Sequence, residues 1–204
     1  MGTTTGIVLF DGAEELDFVG PWEVFSASAM IHGDGRLEGS PDRVVLVAER
    51  AEPFRGGKGL QVVPDATFAD HPPLDVVLVP GGRGTRVEVD NPRLLEWLRT
   101  TAETATWTTS VCTGAFLLHA SGVAKGRRLA THFASEDRLE EQGDVTVVRD
   151  ARFVRDGRIV SSQGVSAGID MALWIVGQLD SPAHARAVQR WIQYDPAPPY
   201  TAEA

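Results

Sequence analysis

The sequence predicts an α/β protein built on a doubly wound, mostly parallel sheet with helices on both faces and a small antiparallel hairpin. Short runs rich in Val and Leu, almost free of polar residues, recur at Gly6–Phe10, Asp42–Ala48 and Asp75–Pro80, as expected of strands buried on both faces. Segments with helical periodicity fall between and after them, and strands that alternate with helices imply a parallel sheet. Within Ala151–Val160 a central Asp156-Gly157 pair supplies the positive φ values of a tight turn, which predicts the hairpin.

Gly6–Phe10 is expected as the first strand, followed by an acidic loop from Asp11 and a helix over Pro21–Ile31. A second helix over Pro92–Glu103 has Asn91 as its N-cap and Pro92 in its first turn. The strand-like run ending at Val111 gives way to a small-residue turn and a helix over Thr113–Ala124, with Gly122 suited to its C-terminus. Helices over His132–Gln142, Ala167–Gln178 and Pro182–Gln193 follow, the last capped by Ser181. The Pro-rich tail Tyr194–Tyr200 is too short for a second module and is expected to pack back on the body through its aromatic ends.

A chain of 204 residues buries a sizeable core as one domain, residues 1–204. Its 28 Asp and Glu against 19 Lys and Arg give a formal net charge of -9, which argues against broad attraction to nucleic acid or anionic membrane. A small-molecule partner is expected instead. No apolar run approaches the ~20 residues that span a bilayer. A single cysteine excludes an intramolecular disulfide, and the chain enters a strand-like run without a basic, apolar leader, so a cytoplasmic location is expected.

That cysteine, Cys112, sits in Ser110-Val111-Cys112-Thr113-Gly114, between a strand and a helix. At such an elbow a side chain leaves the carboxyl edge of the sheet while the helix aims unpaired N–H groups and its positive dipole end at the sulfur. Both effects favour thiolate, so a depressed pKa is expected. In an open α/β sheet the loops after Phe10, Pro80, Ser110 and the hairpin converge there. The first carries Asp17, a helix cap or an acid/base partner, with Glu14 and Glu15 expected on the surface. The second is Pro80-Gly81-Gly82-Arg83-Gly84, where the N–H of Gly82, together with that of Thr113, is placed to hold a developing negative charge; an ordinary tight turn fits it equally well. His132 is the histidine expected nearest the site, and a structural role at the start of a helix fits it equally well. The last loop, with Gly164 and Val165, leads from the hairpin into an apolar helix and is placed to wall a pocket. The remaining histidines, His32, His71, His119 and His184, lack metal-ligand spacing to one another, so no metal is expected.

Leu16-Asp17-Phe18-Val19-Gly20-Pro21, Val79-Pro80-Gly81-Gly82, Ser110-Val111-Cys112-Thr113-Gly114, Thr131-His132, Ala167-Gly168-Ile169-Asp170 and Tyr194–Pro199 together resemble the ThiJ/PfpI superfamily, looking closest to its isonitrile hydratase branch. The resemblance spans nearly the whole chain. It implies a flavodoxin-like fold related to class I glutamine amidotransferases, a homodimer, and no cofactor. It also implies Cys112 as nucleophile, Asp17 hydrogen-bonded to it, and backbone donors at Gly82 and Thr113. Thr113 stands where peptidase members have histidine, and no downstream His-x-Glu triplet occurs, so the peptidase and glutaminase readings weaken. Ser162-Gln163-Gly164 departs from the more glycine-rich loop of the hydratases. The implied activity is hydration of an isonitrile to a formamide. Glyoxalase-type hydration of α-ketoaldehydes and a redox or ligand sensor remain as alternatives.

Overall fold

The computed structural model describes residues 2–33, 35, 37 and 40–196. Its strands are β1 (Thr4–Leu9), β2 (Arg43–Ala48), β3 (Phe54–Arg55), β4 (Gln61–Val62), β5 (Ala66–Thr67), β6 (Val76–Val79), β7 (Trp107–Val111), β8 (Arg127–Leu129), β9 (Val145–Val147), β10 (Phe153–Asp156) and β11 (Ile159–Ser162). Its helices are α1 (Glu15–His32), α2 (Thr85–Glu88), α3 (Pro92–Thr104), α4 (Gly114–Ala120), α5 (Glu136–Glu140), α6 (Ala167–Leu179) and α7 (Pro182–Trp191).

Seven strands form one sheet in the order β10-β11-β7-β6-β1-β2-β5, parallel throughout except for β10, which runs antiparallel to β11. The expected doubly wound architecture is therefore present. The four central strands carry almost no exposed residue, since helices cover both faces and leave the pleat no solvated side. From β1 the chain moves first outward to β2 and later inward to β6 and β7. That reversal opens a crevice at the carboxyl ends of β1 and β6.

Local chemistry sets the element ends. Asn91 Oδ1 accepts from the N–H groups of Arg93 (3.1 Å) and Leu94 (3.3 Å), and Ser181 Oγ from that of His184 (3.1 Å), as capping residues do. Leu94, Trp97, Leu98, Thr101 and Ala102 lie at helical spacing and form the buried face of α3.

Four expectations need correction. α1 begins at Glu15, not Pro21, and carries Pro21 in its interior; Glu15 and Asp17 in its first turn suit the positive end of the helix dipole. α4 stops at Ala120, with Gly122 at φ 82 just beyond, and the expected His132–Gln142 helix is a 3-10 turn over Phe133–Ser135 followed by the short α5. The hairpin turn is Gly157-Arg158, because Asp156 already pairs with Ile159 and only Gly157 takes a positive φ. Its second strand, β11, also joins β7 in the main sheet. Of the Pro-rich tail, Tyr194 packs back by donating its N–H to the Gln189 carbonyl (3.1 Å), whereas residues 197–204 lie outside the described residues. No helix among the described residues is long and apolar enough to cross a membrane.

Candidate active site

Cys112 directly follows β7 and takes φ 57, a conformation rare for a residue with a side chain. Its surroundings hold it there. Its N–H donates to the Ser162 carbonyl at 3.1 Å, and its own carbonyl accepts from Thr131 Oγ1 at 2.8 Å. Strain of this kind persists only where neighbouring contacts over-determine the backbone. The turn throws the side chain out of the sheet edge, where the Thr113 N–H lies near enough to the sulfur to favour its thiolate.

Asp17 reaches the same point from the first turn of α1. It is not the helix cap, a position taken by Glu14, and it is fully buried. Asp17 Oδ2 accepts the Gly81 N–H at 2.9 Å. Asp17 Oδ1 is buried without a hydrogen-bond partner of good geometry, while the Cys112 thiol lies near enough to stabilise the carboxylate. The Asp17 pKa is pushed up to about 7, chiefly by burial and against the Gly81 hydrogen bond. Burial, with the Asp17 carboxylate next in size, pushes the Cys112 thiol up to about 12.

The expected depressed thiol pKa is thus corrected for the state in which Asp17 is ionised. Helix N–H groups do favour the thiolate, but desolvation and a facing carboxylate outweigh them. The two groups titrate as a pair, and above pH 7 they hold one proton between them. Placing that proton on Asp17 removes the carboxylate's repulsion and leaves the sulfur facing the Thr113 N–H.

Gly82 must be glycine, since at φ 114 a Cβ would stand 2.4 Å from Gly12 O, and so must Gly81. A Cβ there would stand 2.5 Å from Thr113 N and 2.8 Å from Cys112 Cβ, so only glycine lets the two loops meet. Gly82 has φ 114 and gives its N–H to Thr113 Oγ1 at 3.0 Å, so this expected oxyanion donor is already paired. Thr113 Oγ1 also receives Thr85 Oγ1 at 3.2 Å, which ties α2 to the elbow.

Gly164 borders both Cys112 and His132, for a Cβ on it would lie 3.0 Å from Cys112 Sγ and 2.6 Å from His132 Cδ2. Half-buried Val165 stands between Gly164 and the first turn of α6. His132 Nδ1 accepts the Ala134 N–H at 3.2 Å, so the neutral ring carries its proton on Nε2 and can only donate from that nitrogen. Gln163 Nε2 donates to Glu136 Oε1 at 3.3 Å. The expected surface position of Glu14 and Glu15 is corrected: both are half-buried, Glu15 Oε1 accepts the Lys58 N–H at 2.6 Å, and Glu14 pairs with the Lys58 ammonium. These bonds fix the loop between β3 and β4 beside the start of α1.

The sequence assigns no role to Thr131 or Ser162, which it holds only as motif residues, and does not single out Thr85. Each acts on the elbow through a backbone or hydroxyl contact from a remote element, which leaves no spacing signal. Cys112 itself is 6% exposed, and the cavities of about 300 Å³ beside His32 and about 500 Å³ between Thr85, Phe116 and Arg138 do not include it in their walls.

Residues 5–178 match the model of the DJ-1/PfpI family. The chain belongs to that family. It is 38% identical over 201 residues to a protein named isonitrile hydratase from Pseudomonas putida, an alignment covering 98% of this chain and 82% of the relative. A Caenorhabditis elegans protein named glutathione-independent glyoxalase DJR-1.2 is 26% identical over 164 residues, covering 79% of this chain and 86% of its own. Among solved structures, a ThiJ/PfpI family protein from Pseudomonas syringae superposes with TM-score 0.87 and 30% identity, over all of this chain and 80% of that one. The DJ-1/PfpI fold of these relatives agrees with the flavodoxin-like α/β architecture expected from the motifs.

Proposed function

We propose that the protein is a cofactor-independent hydratase that adds water to an isonitrile, R-NC, and releases the N-substituted formamide. The observation that carries this reading is the fully buried Asp17, with one oxygen held by Gly81 and the other unpaired, facing a cysteine held at a strained elbow. The 38% identity to isonitrile hydratase supports the choice of substrate class.

The one-proton pair rests with its proton on Cys112 and reacts through the form in which that proton has passed to Asp17 and the charge to the sulfur. The thiolate attacks the terminal isonitrile carbon as Asp17 delivers its proton to that carbon, forming an S–C bond and a thioimidate, R-N=CH-S-Cys. Asp17, now ionised, takes a proton from water as the hydroxide adds to the same carbon, and passes that proton to nitrogen. Collapse forms the C=O bond and breaks C–S, and the hydroxyl proton returns to Asp17. The net change is R-NC plus water to R-NH-CHO. His132 Nε2–H and the Thr113 N–H are the nearby donors for developing charge, and Gly164 and Val165 shape the wall.

A glyoxalase reading draws on the Caenorhabditis elegans relative and the same cysteine. Purified protein incubated with aryl and alkyl isonitriles, and in parallel with methylglyoxal, separates the two. Formamide production supports the hydratase; lactate alone supports the glyoxalase; stoichiometric loss of the thiol without turnover supports a sensor. A homodimer is proposed as well, because α1 leaves Leu16, Val19 and Trp22 exposed at roughly helical spacing along one side.

A further inference from the structure

We propose that His32, Asp180 and His184 bind a divalent transition-metal ion of the zinc class at a site separate from Cys112. The three residues are far apart in sequence, but one ligand atom from each lies within 4.8 Å of the others. They come from the last turn of α1, the joint between α6 and α7, and the first turn of α7. The site lies at the amino edge of the sheet, about 22 Å along α1 from Asp17 at 1.5 Å per residue.

Tetrahedral coordination at ~2 Å bonds places ligand atoms about 3.3 Å apart. His32 Nε2 and Asp180 Oδ2 are already 3.0 Å apart, and the His184 ring stacks on that of His32 at 4.1 Å between centroids. Asp180 and His184, rather than His32, which Asp42 holds, are the side chains whose rotation closes the set without moving the helices.

Every candidate ligand also has an orienting partner. Asp42 Oδ2 accepts from His32 Nδ1 at 2.5 Å and is itself fixed, its Oδ1 receiving the Thr3 N–H at 2.8 Å. This is the carboxylate–histidine arrangement that leaves the other ring nitrogen with its lone pair outward. Nε2 lies 3.0 Å from Asp180 Oδ2, where a protonated ring bridges the two carboxylates, and a cation bound there takes the place of that Nε2 proton. Ser28 Oγ lies 2.8 Å from His184 Nε2, and Ser181 Oγ donates to Asp180 Oδ1 at 2.8 Å. A cavity of about 300 Å³, walled in part by Ser28, His32, Asp42 and Asp180, gives an ion a way in. Two imidazoles and a carboxylate suit Zn²⁺, Ni²⁺ or Co²⁺ better than a hard ion such as Mg²⁺.

The test uses tag-free protein stripped with chelator, titrated with zinc chloride by calorimetry and with cobalt chloride by visible absorption. The expected result is one ion per chain and cobalt d–d bands without sulfur charge transfer. His184→Ala and Asp180→Asn should each weaken binding at least tenfold, and Asp42→Asn should weaken it ~10-fold through loss of ligand orientation. Cys112→Ser should bind as the wild type does, and circular dichroism establishes that each variant is folded. Absence of saturable binding in wild-type protein, binding unchanged in both His184→Ala and Asp180→Asn, or binding lost in Cys112→Ser would overturn the proposal.

Discussion

Cys112 and Asp17 divide one proton between them, and that division has consequences at two levels. Burial lifts the Asp17 pKa from 3.8 to about 7. A folded state that binds a proton more tightly than the unfolded chain gains most at low pH and loses that gain as pH climbs through the folded value. Stability should therefore decline between about pH 4 and pH 7 on account of Asp17. Asp17→Asn keeps an oxygen for the Gly81 N–H but carries no charge, so it should melt above the wild type at pH 8 and show a smaller loss from pH 5 to pH 8. The same variant should lose turnover by ~10²-fold or more, since it cannot move a proton. Its Cys112 thiolate, followed by ultraviolet absorbance, should form at lower pH than in the wild type, because the repelling carboxylate is gone. With the one-proton pair as the active form, kcat/KM should rise through about pH 7 and stay level into the mildly alkaline range. A decline above pH 7 in the pH–rate profile would exclude that form.

At the scale of elements, the site depends on how closely three loops approach the elbow. Gly164→Ala puts a methyl 3.0 Å from Cys112 Sγ and 2.6 Å from His132 Cδ2. Iodoacetamide should then modify Cys112 at least ~10-fold more slowly, with secondary structure retained; an unchanged rate would place the access path elsewhere. The strand after which Cys112 is thrown outward was legible because its run of small and β-branched residues ends abruptly at a Thr-Gly turn. The start of α1 was not, since a proline that usually opens a helix lies inside this one. β3, β4, β8 and β9 are two or three residues long and only partly buried, which gives too little alternation to read. Asp17 and Cys112 could be named from motifs, but the roles of Gly81, Thr131 and Ser162 rest on contacts between distant segments. The same holds for His32 and His184, whose rings stack although their sequence spacing suggested no common site.

For the whole molecule, an acidic chain with the proposed site at one end of its sheet and an apolar stripe on α1 suits the proposed small substrate and second copy of itself. Trp22→Glu should shift sedimentation at micromolar concentration from dimer to monomer, because the stripe of Leu16, Val19 and Trp22 cannot bury a carboxylate without a partner. A wild-type monomer across that range would reject the dimer. The chemistry is tested most directly by one experiment: hydration of an aryl isonitrile in ¹⁸O-labelled water, with the product and the Cys112 peptide both weighed after rapid quenching. Wild-type protein should yield labelled formamide catalytically and a Cys112 peptide carrying the mass of the substrate, Cys112→Ala neither, and Asp17→Asn formamide at least ~10²-fold more slowly. Formamide formed equally fast by Cys112→Ala, or no formamide from any isonitrile while methylglyoxal is consumed, would contradict hydration through a Cys112 adduct.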